Sequence, residues 1–185
     1  LHALFSLKDD DIKHTLNDYL WGRCEIQAAA HDLTDQLGAD IDGKIFLIPS
    51  SIKTDEIIRI LRDGYDVGLL NDGFQSLIRE LELDYLIIDT HPGLNEETLL
   101  SIAISNTLIV VLRPDQLDYQ GTAVIIDVVR KLGVTDLMLV INKTPQDFDF
   151  EAIRKAAETN YASPVAAILP HSDEIMKLAS AGIFS

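Results

Sequence analysis

Three short polar clusters in this chain each follow an apolar run. Asp89 closes the run Leu83-Asp84-Tyr85-Leu86-Ile87-Ile88 and precedes Thr90-His91-Pro92-Gly93. A carboxylate at the end of a buried strand can reach Mg²⁺ directly or through water. Pro and Gly force a turn and let backbone approach a ligand closely, so Thr90, His91, Pro92 and Gly93 can report the state of a terminal phosphate. Taken alone, Asp89 fits a helix cap or a turn acid equally well. Asn142-Lys143 follows Leu137-Met138-Leu139-Val140-Ile141. The amide carries a donor and an acceptor that match a purine edge, and a lysine stem can cover a ring face; the same pair is also common in turns. Pro170-His171-Ser172-Asp173 follows Val165-Ala166-Ala167-Ile168-Leu169. Its backbone can lie against a base, and Ser172 or Asp173 can equally cap a helix.

The elements that must position these clusters follow from the apolar spacing. Residues 85–88, 108–112, 137–141 and 165–169 are continuous apolar runs of strand length, and 44–49 is a shorter one. Helical spacing covers about 96–105, 119–132, 150–158 and 173–180 between them. Upstream, 15–21 and 25–34 read as short helices and 69–81 as a longer one. A further helix begins at Thr54, where Thr54, Asp55 and Glu56 suit an N-terminus through capping and the helix dipole. Strands apolar on both faces that alternate with helices predict a parallel sheet flanked by helices on both faces, an α/β fold. Such sheets bind ligands at the carboxyl ends of their strands, where all three polar clusters fall.

Composition narrows the chemistry. The 185 residues carry a formal charge of −15 and a pI near 4.5. This balance repels polyanions, and no Lys/Arg run supplies a basic patch. The single cysteine, Cys24, excludes an internal disulfide and reads as a packing residue suited to a reducing compartment. No apolar stretch is long enough to span a bilayer. The five histidines lack metal-ligand spacing, and Asp9-Asp10-Asp11 reads as a solvated run. Neither a G-x-S-x-G nor an H-E-x-x-H string occurs, and no G-x-x-x-x-G-K-[ST] string either. The chain opens without Met, and both ends read as cut.

Taken in order, these pieces resemble the ParA/MinD family of deviant Walker-A P-loop ATPases. LDYLIIDTHPGL resembles the family's Walker-B strand and switch-II loop. LIVVLRPDQLDYQGTAVIIDVVRKL resembles its next strand, loop and helix, LMLVINK its adenine-contacting strand, and AAILPHSDEIMKLASAG its last strand and adenine loop. Upstream, LHALFSL, TLNDYLWG and KIFLIPSS resemble the stretch after its second strand. The resemblance covers nearly the whole chain and implies one Rossmann-like P-loop NTPase domain over 1–185, truncated at both ends. The Gly-rich loop with its lysines, the switch-I acid and the first two strands would lie before Leu1.

The resemblance also implies roles. Asp89 would be catalytic and would hold Mg²⁺ through water. Thr90, His91, Pro92 and Gly93 would form the switch loop. Asn142 would read adenine, with Lys143, Pro170, His171 and Asp173 around the base; Ser172 stands where MinD-like members often carry an acid. The implied activity is ATP hydrolysis by a dimeric switch that positions DNA or protein cargo. An activator or adaptor protein and a DNA or membrane surface would be its partners. Its location would be the cytoplasm, peripheral to the nucleoid or membrane, and the 185 residues alone would be inactive. The alternative is a non-catalytic nucleotide-binding or pseudo-ATPase regulatory module. Other enzymes on this fold would show an added catalytic domain or a Cys pair, and neither is present.

Overall fold

The computed structural model describes residues 5, 7–37, 42–51, 53–90, 93–94, 96–134, 136–175 and 177. They fall into two compact units, one running up to Ile87 and taken up again from Glu174, the other Ile88–Asp173.

In the first unit, Thr15 opens helix α1 (Leu16–Leu20) with a reciprocal cap. Its hydroxyl accepts from the Asp18 N–H at 3.3 Å, and the Asp18 carboxylate accepts from the Thr15 N–H at 3.0 Å. The stretch 25–34 is not one helix as its spacing suggests. A 3₁₀ turn at Ile26–Ala29 leads into strand β1 (His31–Asp32), which pairs antiparallel with β2 (Phe46–Leu47). Asp32 accepts from the Thr34 N–H at 2.9 Å, a local bond that competes with helix. Of the run 44–49 only Phe46 and Leu47 pair, because β1 offers just two residues.

Helix α2 (Thr54–Asp63) has Lys53 at its cap without a side-chain bond, so Thr54 is the first helical residue rather than the cap. Asp55 and Glu56 still favour the positive end of the dipole. Helix α3 (Val67–Glu80) is capped by Asp66, which accepts from the Leu69 N–H. Tyr19, Ile26 and Leu77 form the core of this unit, with Phe74, Leu69 and Cys24 packed against them. The Tyr19 hydroxyl donates to the Leu69 carbonyl at 2.8 Å. A Cβ at Gly73 would meet the Tyr19 ring at 2.7 Å, so α3 can carry only glycine there at this approach.

The expected strand over 85–88 is absent. These residues have no regular structure and no ladder partner among the described residues. Tyr85 is 86% and Ile87 89% exposed. An apolar run of strand length becomes a strand only where a neighbour satisfies its N–H and C=O groups.

The second unit carries the parallel sheet. Helix α4 (Glu96–Ile104), strand β3 (Thr107–Leu112), helix α5 (Gln116–Lys131), strand β4 (Asp136–Thr144), helix α6 (Phe150–Tyr161) and strand β5 (Val165–Pro170) alternate along the chain. The sheet order is β3-β4-β5, all parallel. Val110 and Leu112 of β3 lie opposite Leu139 and Ile141 of β4. They share one core with Ile102, Ile126, Val129, Ala157 and Tyr161 from the three helices. Ile109 and Val111, on the other face of β3, are 54% and 61% exposed. Acidic caps start the helices: Asp115 accepts from the Asp118 N–H at 3.0 Å and Asp149 from the Ala152 N–H at 3.0 Å. The end of α6 is closed by Arg130, which donates to the carbonyls of Tyr161 and Ala162.

Candidate functional site

Parallel pairing places the carboxyl ends of β3, β4 and β5 along one edge of the sheet. Arg113 follows β3, Asn142-Lys143-Thr144 closes β4, and Pro170-His171 closes β5. Two of these ends are joined. Thr144 lies opposite Pro170 in the ladder, and the His171 N–H donates to the Thr144 carbonyl at 2.8 Å. Gln146 adds a longer bond from its Nε2 to the His171 carbonyl at 3.4 Å. Asn142 and Lys143 therefore stand opposite Leu169, the residue before Pro170.

The backbone at this edge is unusual. The ladder shifts register between Ile141 and Thr144, and Lys143 has φ of +56°, a left-handed conformation uncommon for a side chain of this type. The Asn142 Oδ1 accepts from the Lys143 N–H at 2.8 Å. Thr144 is fully buried, and its Oγ1 has no hydrogen-bond partner among the described residues. The spacing argument missed Thr144, Gln146 and the left-handed turn, because lysine does not announce φ above zero.

His171 extends to Asp173, its Nε2 standing 3.2 Å from Asp173 Oδ1. Pro170, His171, Asp173 and Lys143 are exposed and Asn142 is half-buried. The loop after β3 is organised by a side-chain fork. Asp118 accepts from the Arg113 backbone N–H at 2.9 Å and from its guanidinium at 3.1 Å. The guanidinium bond, with the backbone bond, holds the Asp118 carboxyl below the usual range.

Asp89 and Thr90 precede α4 and are exposed, and Asp89 forms no ion pair or hydrogen bond among the described residues. Gly93 has φ of +106° with open space where a Cβ would stand, so the loop makes a turn for which glycine is suited. His91 and Pro92 lie outside the described residues. No described bond links Asp89 or Thr90 to the β4 and β5 ends. No group of three or more His, Cys, Asp or Glu side chains among the described residues could hold a metal alone. A magnesium ion shared with phosphates needs only one or two carboxylates, and the unengaged Asp89 carboxylate fits that requirement. No helix among the described residues is long and apolar enough to cross a membrane.

No family model matches the sequence. The chain is 26% identical over 168 residues to an uncharacterized ATP-binding protein of Methanocaldococcus jannaschii, covering 91% of this chain and 58% of that protein. It thus spans rather more than half the length of that relative. Its structure is similar to the MinD cell division protein of Aquifex aeolicus, with a TM-score of 0.75, 14% identity, and coverage of 98% of this chain and 70% of that one. MinD of the same organism in complex with MinC gives a TM-score of 0.73 at 14% identity, covering 98% of this chain and 68% of that one. A Borrelia burgdorferi protein assigned to plasmid partition and bound to AMPPNP gives 0.70 at 14% identity, covering 97% of this chain and 71% of that one. The fold of this chain is that of these MinD and plasmid-partition structures.

Proposed function

We propose that the chain is the larger part of an ATP-binding switch of the ParA/MinD family, with ATP and Mg²⁺ as its ligands. The observation that supports this reading is the junction of the β4 and β5 ends, where the His171 N–H meets the Thr144 carbonyl and Asn142-Lys143 stand opposite Leu169, the residue before Pro170. A half-buried amide next to an exposed Pro-His backbone suits the edge and face of a purine. The ATP-binding relative and the AMPPNP-bound neighbour support adenine nucleotide as the ligand. Asp89 holds Mg²⁺ through water, and Thr90, His91, Pro92 and Gly93 respond to the terminal phosphate. Asp173 steadies His171 at the rim. In this reading the phosphate-cradling loop is not among the 185 residues, none of which forms a G-x-x-x-x-G-K-[ST] string. Hydrolysis between two subunits, release by an activator or adaptor, and positioning of cargo at a DNA or membrane surface in the cytoplasm complete the reading.

Two substitutions in the full-length polypeptide test it. Losing a buried amide pair costs about 1–3 kcal/mol, so Asn142→Ala weakens ATP roughly 5- to 150-fold while inorganic tripolyphosphate binding hardly changes. A parallel fall for both ligands, or no fall, returns Asn142 to a turn residue. Asp89→Asn lowers ATP turnover about tenfold or more and alters its Mg²⁺ dependence. Unchanged turnover and Mg²⁺ dependence in that variant leave Asp89 as a turn acid. ATP binding without turnover in the unmodified protein would favour the regulatory-module reading.

A further inference from the structure

We infer that the left-handed backbone turn at Lys143 is a positioning device that orients the Asn142 amide toward one purine edge. The inference rests on the nucleotide reading of the β4 and β5 ends and adds how selectivity arises there. Ile141 lies opposite Ile168, and Thr144 opposite Pro170. Asn142 and Lys143 therefore stand against the single residue Leu169, which is a β-bulge. The bulge is completed by Lys143 at φ +56°, a conformation that Gly and Asn adopt readily and other residues resist. Its register is clamped on the far side by the bond from the His171 N–H to the Thr144 carbonyl and by the full burial of Thr144.

In this turn the Lys143 N–H points back at Asn142 and donates to its Oδ1 at 2.8 Å. A backbone donor demands the oxygen of the amide, so the two ends of the group cannot exchange. One lone pair of Oδ1 and both N–H bonds of Nδ2 remain for a ligand, with no other hydrogen bond to Asn142 among the described residues. Adenine offers an exocyclic amine beside a ring nitrogen, a donor next to an acceptor, which complements the fixed amide. Hypoxanthine, with a carbonyl in place of the amine, sets an acceptor against Oδ1. Preference for ATP over ITP is thus set by the backbone at Lys143, and its exposed ammonium is not what reads the base.

The test compares dissociation constants for ATP, ITP and inorganic tripolyphosphate in the full-length polypeptide. Lys143→Val excludes the left-handed turn through its branched Cβ, and Lys143→Ala disfavours it more mildly. Lys143→Gly and Lys143→Asn remove the ammonium but accept the turn. The ATP-to-ITP preference falls about tenfold in Lys143→Val and in Asn142→Ala, in line with loss of one oriented buried pair. It falls less in Lys143→Ala, and it holds in Lys143→Gly and Lys143→Asn. Tripolyphosphate binding stays level throughout and reports that each variant is folded; should Lys143→Val fail that control, the Ala and Gly pair decides. A preference lost equally in Gly and Ala overturns the inference, because the lysine side chain would then be the reader. A preference lost in Asn142→Ala but kept in Lys143→Val and Lys143→Ala overturns the positioning role alone. A preference unchanged in Asn142→Ala overturns the base-site reading with it.

Discussion

Strand β4 and the segment 83–89 have similar composition and opposite surroundings. Each is an apolar run that ends in a polar residue, Asn142 in one and Asp89 in the other. In β4, Leu139 and Ile141 are fully buried, with β3 on one side and β5 on the other. In the second segment, Tyr85 and Ile87 stand almost wholly exposed, with no ladder partner among the described residues. Hydrophobicity favours burial of either run, but burial of backbone requires hydrogen-bonding neighbours. The difference lies in the neighbours, and the precision of each site follows it. Asn142 is set by a bulge, a clamp and a backbone bond, whereas Asp89 ends a segment that no described strand fixes.

The largest expected effect sharpens this contrast at its buried end. Leu139→Ala removes most of a fully buried side chain from the centre of the second unit's core. It should lower the unfolding free energy of the 185-residue chain by about 2–5 kcal/mol, read from a urea titration with unchanged slope. A loss under about 1 kcal/mol would mean that β4 is not the packed centre of the sheet.

A smaller effect of opposite sign is expected at the end of the same strand. Thr144 is buried, and its Oγ1 finds no partner among the described residues. An unsatisfied buried hydroxyl costs about 1–3 kcal/mol, so replacement by an isosteric apolar group is neutral or stabilising. Thr144→Val should therefore raise stability by up to about 1 kcal/mol in the same titration. A clear loss would show that the hydroxyl is hydrogen-bonded through solvent and helps to hold the bulge.

The sheet of the second unit was legible in the sequence for a physical reason. Residues 108–112, 137–141 and 165–169 are apolar runs of strand length, each separated from the next by a helix whose start carries an acidic cap, Asp115 or Asp149. Those local signals agree with one another and with the tertiary outcome. The polar residues at the strand ends were legible too, because a parallel sheet gathers them on one edge. The first unit was harder to read. The stretch 25–34 has helical spacing, yet Asp32 and the pairing with Phe46 and Leu47 divide it. The bulge at Asn142-Lys143 was invisible, since lysine gives no signal for positive φ. The segment 85–88 misled because its spacing reports what the run would bury given a partner, not whether a partner is there.

The smallest expected effect tests that last point directly. Ile87 is 89% exposed, so Ile87→Ser in the 185-residue chain removes almost no packing. The change in unfolding free energy should stay within about 0.5 kcal/mol, as for other exposed positions. The proposed reading makes this chain part of a longer polypeptide, whose further strands would pair with residues 85–88. In the full-length polypeptide Ile87 would then be buried, and the same substitution should cost more than about 1 kcal/mol, the scale of burying one aliphatic side chain. The two measurements form a pair. A small cost in both contexts would mean that residues 85–88 remain unpaired in the full-length polypeptide, and Asp89 would then end no strand. A large cost in the 185-residue chain would mean that Ile87 already has a packing partner, so the contrast with β4 would fall. Only a small cost in the shorter chain with a larger one in the longer chain supports the view that Asp89 becomes a positioned ligand when its strand acquires neighbours.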